Sequence, residues 1–450
     1  MSRSTSSGED FNYSNGCDSG IIPRQYWNWN RSRVTSPARA LEVRTYREVQ
    51  DVVRDDTRYP GPVLAVGSMH SVTDTMVNDK GTLLLMGGLS AILGLEGEGT
   101  DHVMVRAQAG CSLKTLSIWL ADHGYELAYQ AEIGNATLGA LCTGDTKDPV
   151  QGGPGYFSAY VRQVTYVNGE GELISIDEAS NPAELANFRC SFGLSGILVE
   201  CLVVVNKLKL FCSRYSVHQF SGIGDLCSAI QSRIDENQAF QGNLLLPELA
   251  AGFVERSLVE EEMTQTPEML QAAEKLRQER QQFIHQGGLG IRPSPPPLLI
   301  HYRWQLINNY DAVDVSLPRL DFSLYEHDLK KLEAVLEETV KFVRAFHELH
   351  AFKPHGWAFY AIQRTPAPAK PSGLFSGGTG TSIAMDPFYS NPLDENWHLF
   401  CRQYNRIAID VLGASVSPIQ TQWLSHGDFK ISKAAVHSRF VTPYYRNFLA

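Results

Sequence analysis

Short apolar runs alternate with amphipathic stretches through the first 210 residues, as in a sheet layered against helices. Ala40-Leu41-Glu42-Val43-Arg44 reads as a first strand. Thr45 then caps a helix over 46–53, with Glu48 at the capping-box position. Val63-Leu64-Ala65-Val66 is a buried strand that runs into the glycine turn Gly67-Ser68-Met69-His70-Ser71. Residues 83–86 and 102–107 read as further strands, and 112–121 places apolar residues at helical spacing before His123-Gly124. Residues 161–167 and 172–176 flank Asn168-Gly169-Glu170-Gly171 as a hairpin, and Cys190 to Ile197 leads into a long apolar strand reaching about Leu210.

Beyond Leu210 the pattern changes. Residues 256–282 are charged and helical in period, Pro293 to Pro297 is a stiff connector, and 298–305 reads as a strand. An amphipathic helix is predicted over 324–350 and another over 396–412, ending at Gly413. Residues 357–364 alternate, which puts Tyr360, Ile362 and Arg364 on one face. Residues 366–380 are rich in Pro, Gly and Ser, and 382–386 form a short strand. The second half therefore predicts a sheet covered by helices.

Composition narrows the function. With 39 Lys+Arg against 49 Asp+Glu, the chain of 450 residues carries −10, which argues against nucleic acid or anionic membrane as a partner. No apolar run reaches the length of a membrane span, and the start of the chain is polar, as a flexible tail rather than a secretion signal. The eight cysteines contain no Cys-x-x-Cys spacing, so free thiols in a reducing, cytoplasmic setting are expected and a metal site is not.

Two stretches carry chemistry. Consecutive N–H groups in the turn at 67–71 would make a concavity for phosphate oxygens, with His70 beside it. Gly134 to Asp145 holds three glycines and several small residues, which makes a poor helix and suits a backbone lying against a flat ligand. With Gly110, the helix at 112–124 and Phe192-Gly193-Leu194-Ser195-Gly196-Ile197, these segments occur in an order that resembles the FAD-binding domain of the vanillyl-alcohol oxidase / p-cresol methylhydroxylase (PCMH) superfamily, nearest its sugar-lactone and alditol oxidase branch. The similarity spans roughly residues 25–210, and no Rossmann Gly-x-Gly-x-x-Gly is present.

The resemblance implies an α+β fold: a two-subdomain FAD-binding domain over 25–210 after a tail at 1–24, a cap domain over 211–420 with an antiparallel sheet covered by helices, and a segment 421–450 returning to the flavin. It implies FAD held by Gly67, Ser68, Met69, His70, Ser71, Thr137, Gly139, Gly144, Asp145, Ser195, Gly196 and Ile197. His70 falls where several members bond the flavin covalently; a non-covalent loop histidine is the alternative. The implied activity is transfer of hydride from a CH–OH carbon of a polar or mid-sized metabolite to flavin N5, with reoxidation by oxygen or another acceptor. Oxidation coupled to decarboxylation or ring closure, and a non-catalytic flavin binder, stand as alternatives. A homodimer is compatible with the sequence but not specified by it.

Three departures bear on the substrate. Asp145-Thr146 replaces a common His-Gly. Gln422-Trp423-Leu424-Ser425, with His426 and Lys430 beyond, stands where the lactone branch has His-Trp-x-Lys. Ile362-Gln363-Arg364 only partly meets its Glu-x-Arg. The catalytic candidates are therefore Arg364, Gln420, Gln422, His426 and Lys430, with Tyr360, Arg303 and His301 on neighbouring predicted strands, as hydrogen-bonding, cationic or proton-accepting groups.

Overall fold

The computed structural model describes residues 25–129, 133–237, 239–259, 264–285, 298–307, 320–362 and 380–450. The capping box forms as the sequence predicts. Thr45 accepts from the Glu48 amide, Glu48 accepts in return from the Thr45 amide, and the helix Tyr46–Arg54 buries Val49, Val52 and Val53. Those valines share a core with Val63 and Leu84 of a small parallel sheet, whose central strand Thr82–Leu85 lies between Arg39–Glu42 and Val63–Val66. Every residue of that central strand is buried, which explains its unbroken apolar reading.

The second layer is an antiparallel sheet in the order Leu173–Asp177, Val161–Val167, Ile197–Lys207, Met104–Gln108, Ile92–Glu96, with Tyr125–Leu127 on the 197–207 strand. One apolar core joins the two layers through Val49, Leu84, Leu116, Leu141 and Val199. Gly110 is held at their junction. A Cβ there would stand 1.9 Å from the Met86 carbonyl oxygen.

From Phe211 the chain enters a nine-stranded antiparallel sheet running Leu298–His301, Phe211–Gln219, Ala250–Leu258, Ala239–Leu245, Gly356–Ile362, Ser382–Tyr389, Tyr325–Asp328, Ser415–Val416, with Asp321–Phe322 beside 382–389. The helices Ile223–Glu236, Leu332–His350 and Glu395–Asn405 bury their apolar stripes on one face, against Phe240, Leu244, Trp357, Phe359, Ile383 and Met385. The strand period of two then sends Gln241, Asn243, Ala358, Tyr360 and Asp386 to the other face. Among the described residues, no helix is long and apolar enough to cross a membrane, and no group of three or more His, Cys, Asp or Glu could hold a metal ion.

Four expectations change in detail. Residues 138–143 are a helix, Leu138–Thr143, despite their small side chains. Gly139 lets that helix approach strand 104–108 closely, its N–H reaching the Ala109 carbonyl at 2.7 Å. Helix 324–350 begins only at Leu332, because Tyr325–Asp328 finds a pairing partner in Ser382–Tyr389. Arg256 sits in a strand, and the charged helix is Pro267–His285. Residues 303–306 leave the strand Leu298–His301 for a tight helical turn.

Candidate functional site

A cavity of about 490 Å³ lies between the two layers and the open face of the nine-stranded sheet. This is within the usual range of ~300–1,000 Å³ for cofactor and ligand sites. Its floor is the whole turn Gly67, Ser68, Met69, His70 and Ser71. Met69 takes φ 55°, which reverses the chain and points successive amides to one side. Among the described residues, the N–H groups of Ser68, Met69, His70 and Ser71 reach no protein acceptor. Four unspent donors on a cavity wall are a cradle for an anion. The turn is braced from outside: Trp29 N–H donates to the Met69 carbonyl at 3.1 Å and Asn28 Nδ2 to the Ser71 carbonyl at 3.0 Å.

Glycine at position 67 is dictated by packing. A Cβ there would lie 2.2 Å from Thr137 Oγ1, so the turn and the start of helix Leu138–Thr143 fit together only without one. Thr137 thus acts behind the wall, while Ala136, Ala140, Thr143 and Gly144 form the wall itself. Small residues there leave room for a flat group.

His70 stacks on Trp29 with centroids 5.2 Å apart and planes at 18°. Its Nε2 is buried and has no hydrogen-bond partner. Burial pushes its pKa down to about 3, from an ordinary 6.5, so the ring is neutral at physiological pH. Because the unfolded chain takes up a proton that the folded one refuses, the ligand-free protein should lose stability as pH falls from ~6.5 toward ~3. Denaturant unfolding at about pH 7 and about pH 4.5 checks this: His70→Ala should lose less over that interval than the parent.

The other cofactor candidates divide. Gly144 lines the cavity; Gly139 packs behind it on Ala109. Asp145 is buried just outside, paired with Lys147 at 3.1 Å and accepting from Ser417 Oγ at 2.8 Å. Ser195, Gly196 and Ile197 sit farther back. Ser195 Oγ donates to the Ala435 carbonyl, Gly196 lies under the Tyr166 ring, and Ile197 belongs to the core. Phe192 of the same segment does reach the wall.

Of the catalytic candidates, Tyr360 lines the cavity, where burial first and the nearby Asp386 second hold its phenol well above the usual range. Arg364 lies outside the described residues. Gln422 is not on the wall. Its Nε2 donates to the Val72 carbonyl at 2.8 Å and to Asp321 Oδ1 at 3.0 Å, and its Oε1 accepts from Arg33 at 2.9 Å. That side chain ties the turn to the cap and has no polar atom left for a substrate. His426 and Lys430 are exposed, with His426 against the Asn447 carbonyl. Ile419, Gln420 and Tyr445 are what the C-terminal region contributes to the wall. Gln420 was among the sequence candidates, whereas Asp386 and Asn243 were not. Asp386 closes an apolar run, Ile383-Ala384-Met385, and that lone carboxyl was the available signal.

Comparison with known proteins shows what the chain is similar to. Residues 37–177 match the family model described as an FAD binding domain. The D-arabinono-1,4-lactone oxidase of Candida glabrata is 26% identical over 180 residues, 40% of this chain and 34% of that protein. The L-gulono-1,4-lactone dehydrogenase of Mycobacterium tuberculosis is 26% identical over 212 residues, 46% and 45% of the two chains. The matched region thus spans between a third and a half of these relatives' length. Among solved structures, cholesterol oxidase from B. sterolicum superposes with a TM-score of 0.67 at 12% identity, over 91% of this chain and 88% of that one. A solvent-stable cholesterol oxidase gives 0.64 at 14% identity over 87% and 85%. At 87–91% coverage of this chain the shared fold extends over the cap sheet and its helices, at 12–14% sequence identity.

Proposed function

From the premise that residues 37–177 are an FAD-binding domain of the vanillyl-alcohol oxidase / PCMH superfamily, we propose that the chain is an FAD-dependent oxidoreductase acting on a CH–OH carbon. The observation that carries the reading is the placement of the unspent amides of 68–71 and the small-residue wall 136–144 on one cavity, facing the polar side of the cap sheet. The residues fit FAD: the amides would hold its diphosphate, and Ala136, Ala140 and Gly144 would lie against its flat part. When bound, the flavin supplies a two-electron acceptor.

The chain's own residues do the rest. Neutral His70, with its buried unpartnered nitrogen, is suited to form the covalent tether and is oriented by Trp29. Tyr360, Gln241 and Asn243 face the substrate space from the cap sheet and offer hydrogen bonds to hydroxyl groups. The reading further holds that the protein works in the cytoplasm on a small molecule, without nucleic acid. A non-catalytic flavin binder is disfavoured by the polar side chains gathered over the cavity.

The test is anaerobic bleaching of the protein-bound flavin by a panel of alcohols, polyols and aldonolactones. Loss of the yellow band with a product two hydrogens lighter is expected. A product lighter by carbon dioxide would replace this reading with oxidative decarboxylation, and a flavin that no compound bleaches would reduce the chain to a binder.

A further inference from the structure

Asp386 stands on the cap strand Ser382–Tyr389, directly beside Ala358, which in turn pairs with Asn243. Asn243, Ala358 and Asp386 thus form one row across three strands, and Gln241 and Tyr360 lie opposite each other in the next row. All five face the cavity. Asp386 is only 8% exposed, and its Oδ1 has no hydrogen-bond partner. A carboxyl group held in this way costs stability unless something else fills its need for a partner. The other buried carboxylates of the cap sheet are provided for. Glu326 accepts from Tyr156 at 2.8 Å and from Ser382 at 2.6 Å, and Asp321 accepts from Trp397 at 2.8 Å. Asp386 is the exception among them, and it is the one aimed into the cavity.

Resting on the proposed function, we infer that Asp386 is a catalytic residue that receives the hydroxyl proton of a neutral alcohol substrate. The O–H bond breaks toward the Asp386 carboxylate and its electron pair becomes the C=O π bond. The C–H pair leaves as hydride to the flavin, which is the oxidant. The substrate loses two electrons, and Asp386 ends protonated and returns the proton to solvent. Burial holds the Asp386 carboxyl well above the ordinary range, against the lowering pull of Lys147. Tyr360 and Tyr325 are the other titratable groups placed to sense its charge, and both phenols are themselves held neutral by burial. The reactive form therefore grows as pH rises. A carboxylate-bearing substrate would meet the same ionised group at close range, so neutral polyols or lactones are favoured over sugar acids.

The experiment compares full-length holoprotein with Asp386→Asn and Asp386→Ala. Flavin content, thermal stability and anaerobic flavin reduction by sorbitol, D-arabinono-1,4-lactone and, as the anionic control, gluconate are followed from about pH 5 to about pH 9. The parent should show a reduction rate that rises with pH for a neutral probe. Asp386→Asn should keep its FAD, lose the rising limb, and react roughly 10²–10⁴-fold more slowly. It should also melt higher than the parent at the alkaline end, because it no longer holds a proton that the unfolded chain gives up. Retention of both the rate and the rising limb in Asp386→Asn would overturn the assignment, as would preferred reduction by gluconate. If all three probes leave the flavin of the parent untouched, it is the substrate reading above that fails. Melting then judges Asp386: a higher midpoint for Asp386→Asn at alkaline pH supports an unpartnered functional carboxyl, and a lower one overturns it.

Discussion

Gly67→Val is expected to fold and yet bind at least ~100-fold less FAD, a loss of about 2.7 kcal/mol. The new Cβ would start 2.2 Å from Thr137 Oγ1 and 2.8 Å from its Cγ2, far inside contact distance. Neither group can retreat easily. Thr137 is buried at the start of helix Leu138–Thr143, whose Leu138 and Leu141 belong to the core. The turn has the softer constraint, so it should move, and its four amides would then no longer converge. Flavin content by absorbance and Kd by titration of apoprotein measure the effect. Thr137→Ala removes the two nearest of the clashing atoms and should restore part of the binding in the double variant, a coupling that two independent lesions would not show.

The second large effect is expected at Asp321, the junction of turn, cap and C-terminal segment. Its carboxylate accepts from Trp397 Nε1 at 2.8 Å, Asn30 Nδ2 at 3.0 Å and Gln422 Nε2 at 3.0 Å. Asn28, in the same loop as Asn30, bonds the Ser71 carbonyl, so the network reaches the turn at 67–71 itself. Asp321→Ala leaves Trp397 Nε1 without its acceptor and takes one of two acceptors from Asn30 Nδ2 and from Gln422 Nε2, and should cost ~2–3 kcal/mol in denaturant unfolding. Asp321→Asn, which keeps one acceptor oxygen, should cost less. Burial raises the Asp321 pKa to about 6 from 3.8 despite those donors. The folded chain therefore keeps a proton that the unfolded chain releases, and stability should fall as pH rises from ~3.8 through ~6. The Asp321→Asn protein should lack that decline, which separates the charge from the hydrogen bonds.

The turn and the small-residue segment that wall the cavity were legible because their role lies in backbone conformation, and glycines and small residues record that directly. The turn at 67–71 was read from Gly67 and His70, and the structure adds only its brace, Asn28 and Trp29. The capping box at Thr45 and Glu48 and the hairpin at 161–176 were legible for the same local reason. Residues 195–197 show where local reading ends. Their glycine and serine were as suggestive as those at 67–68, yet Gly196 serves close packing under Tyr166. The cap wall was less readable, since which of two alternating faces meets the cavity depends on where the helices cover the sheet. Tyr360 emerged through its alternation with Ile362, whereas Asp386 and Asn243 became visible only once register set them in one row. Gln422 misleads in the opposite direction. Its position in the chain suggested a substrate contact, but long-range hydrogen bonds to Val72, Asp321 and Arg33 occupy its amide.

The central claim is that one FAD sits on the turn at 67–71 with His70 as its tether. The visible spectrum of purified protein before and after acid precipitation, with intact mass, tests it most directly. A yellow pellet whose mass exceeds that of the chain by one FAD, and a His70→Ala pellet that is colourless, are the results this account predicts. A colourless protein that takes up no added FAD would contradict it.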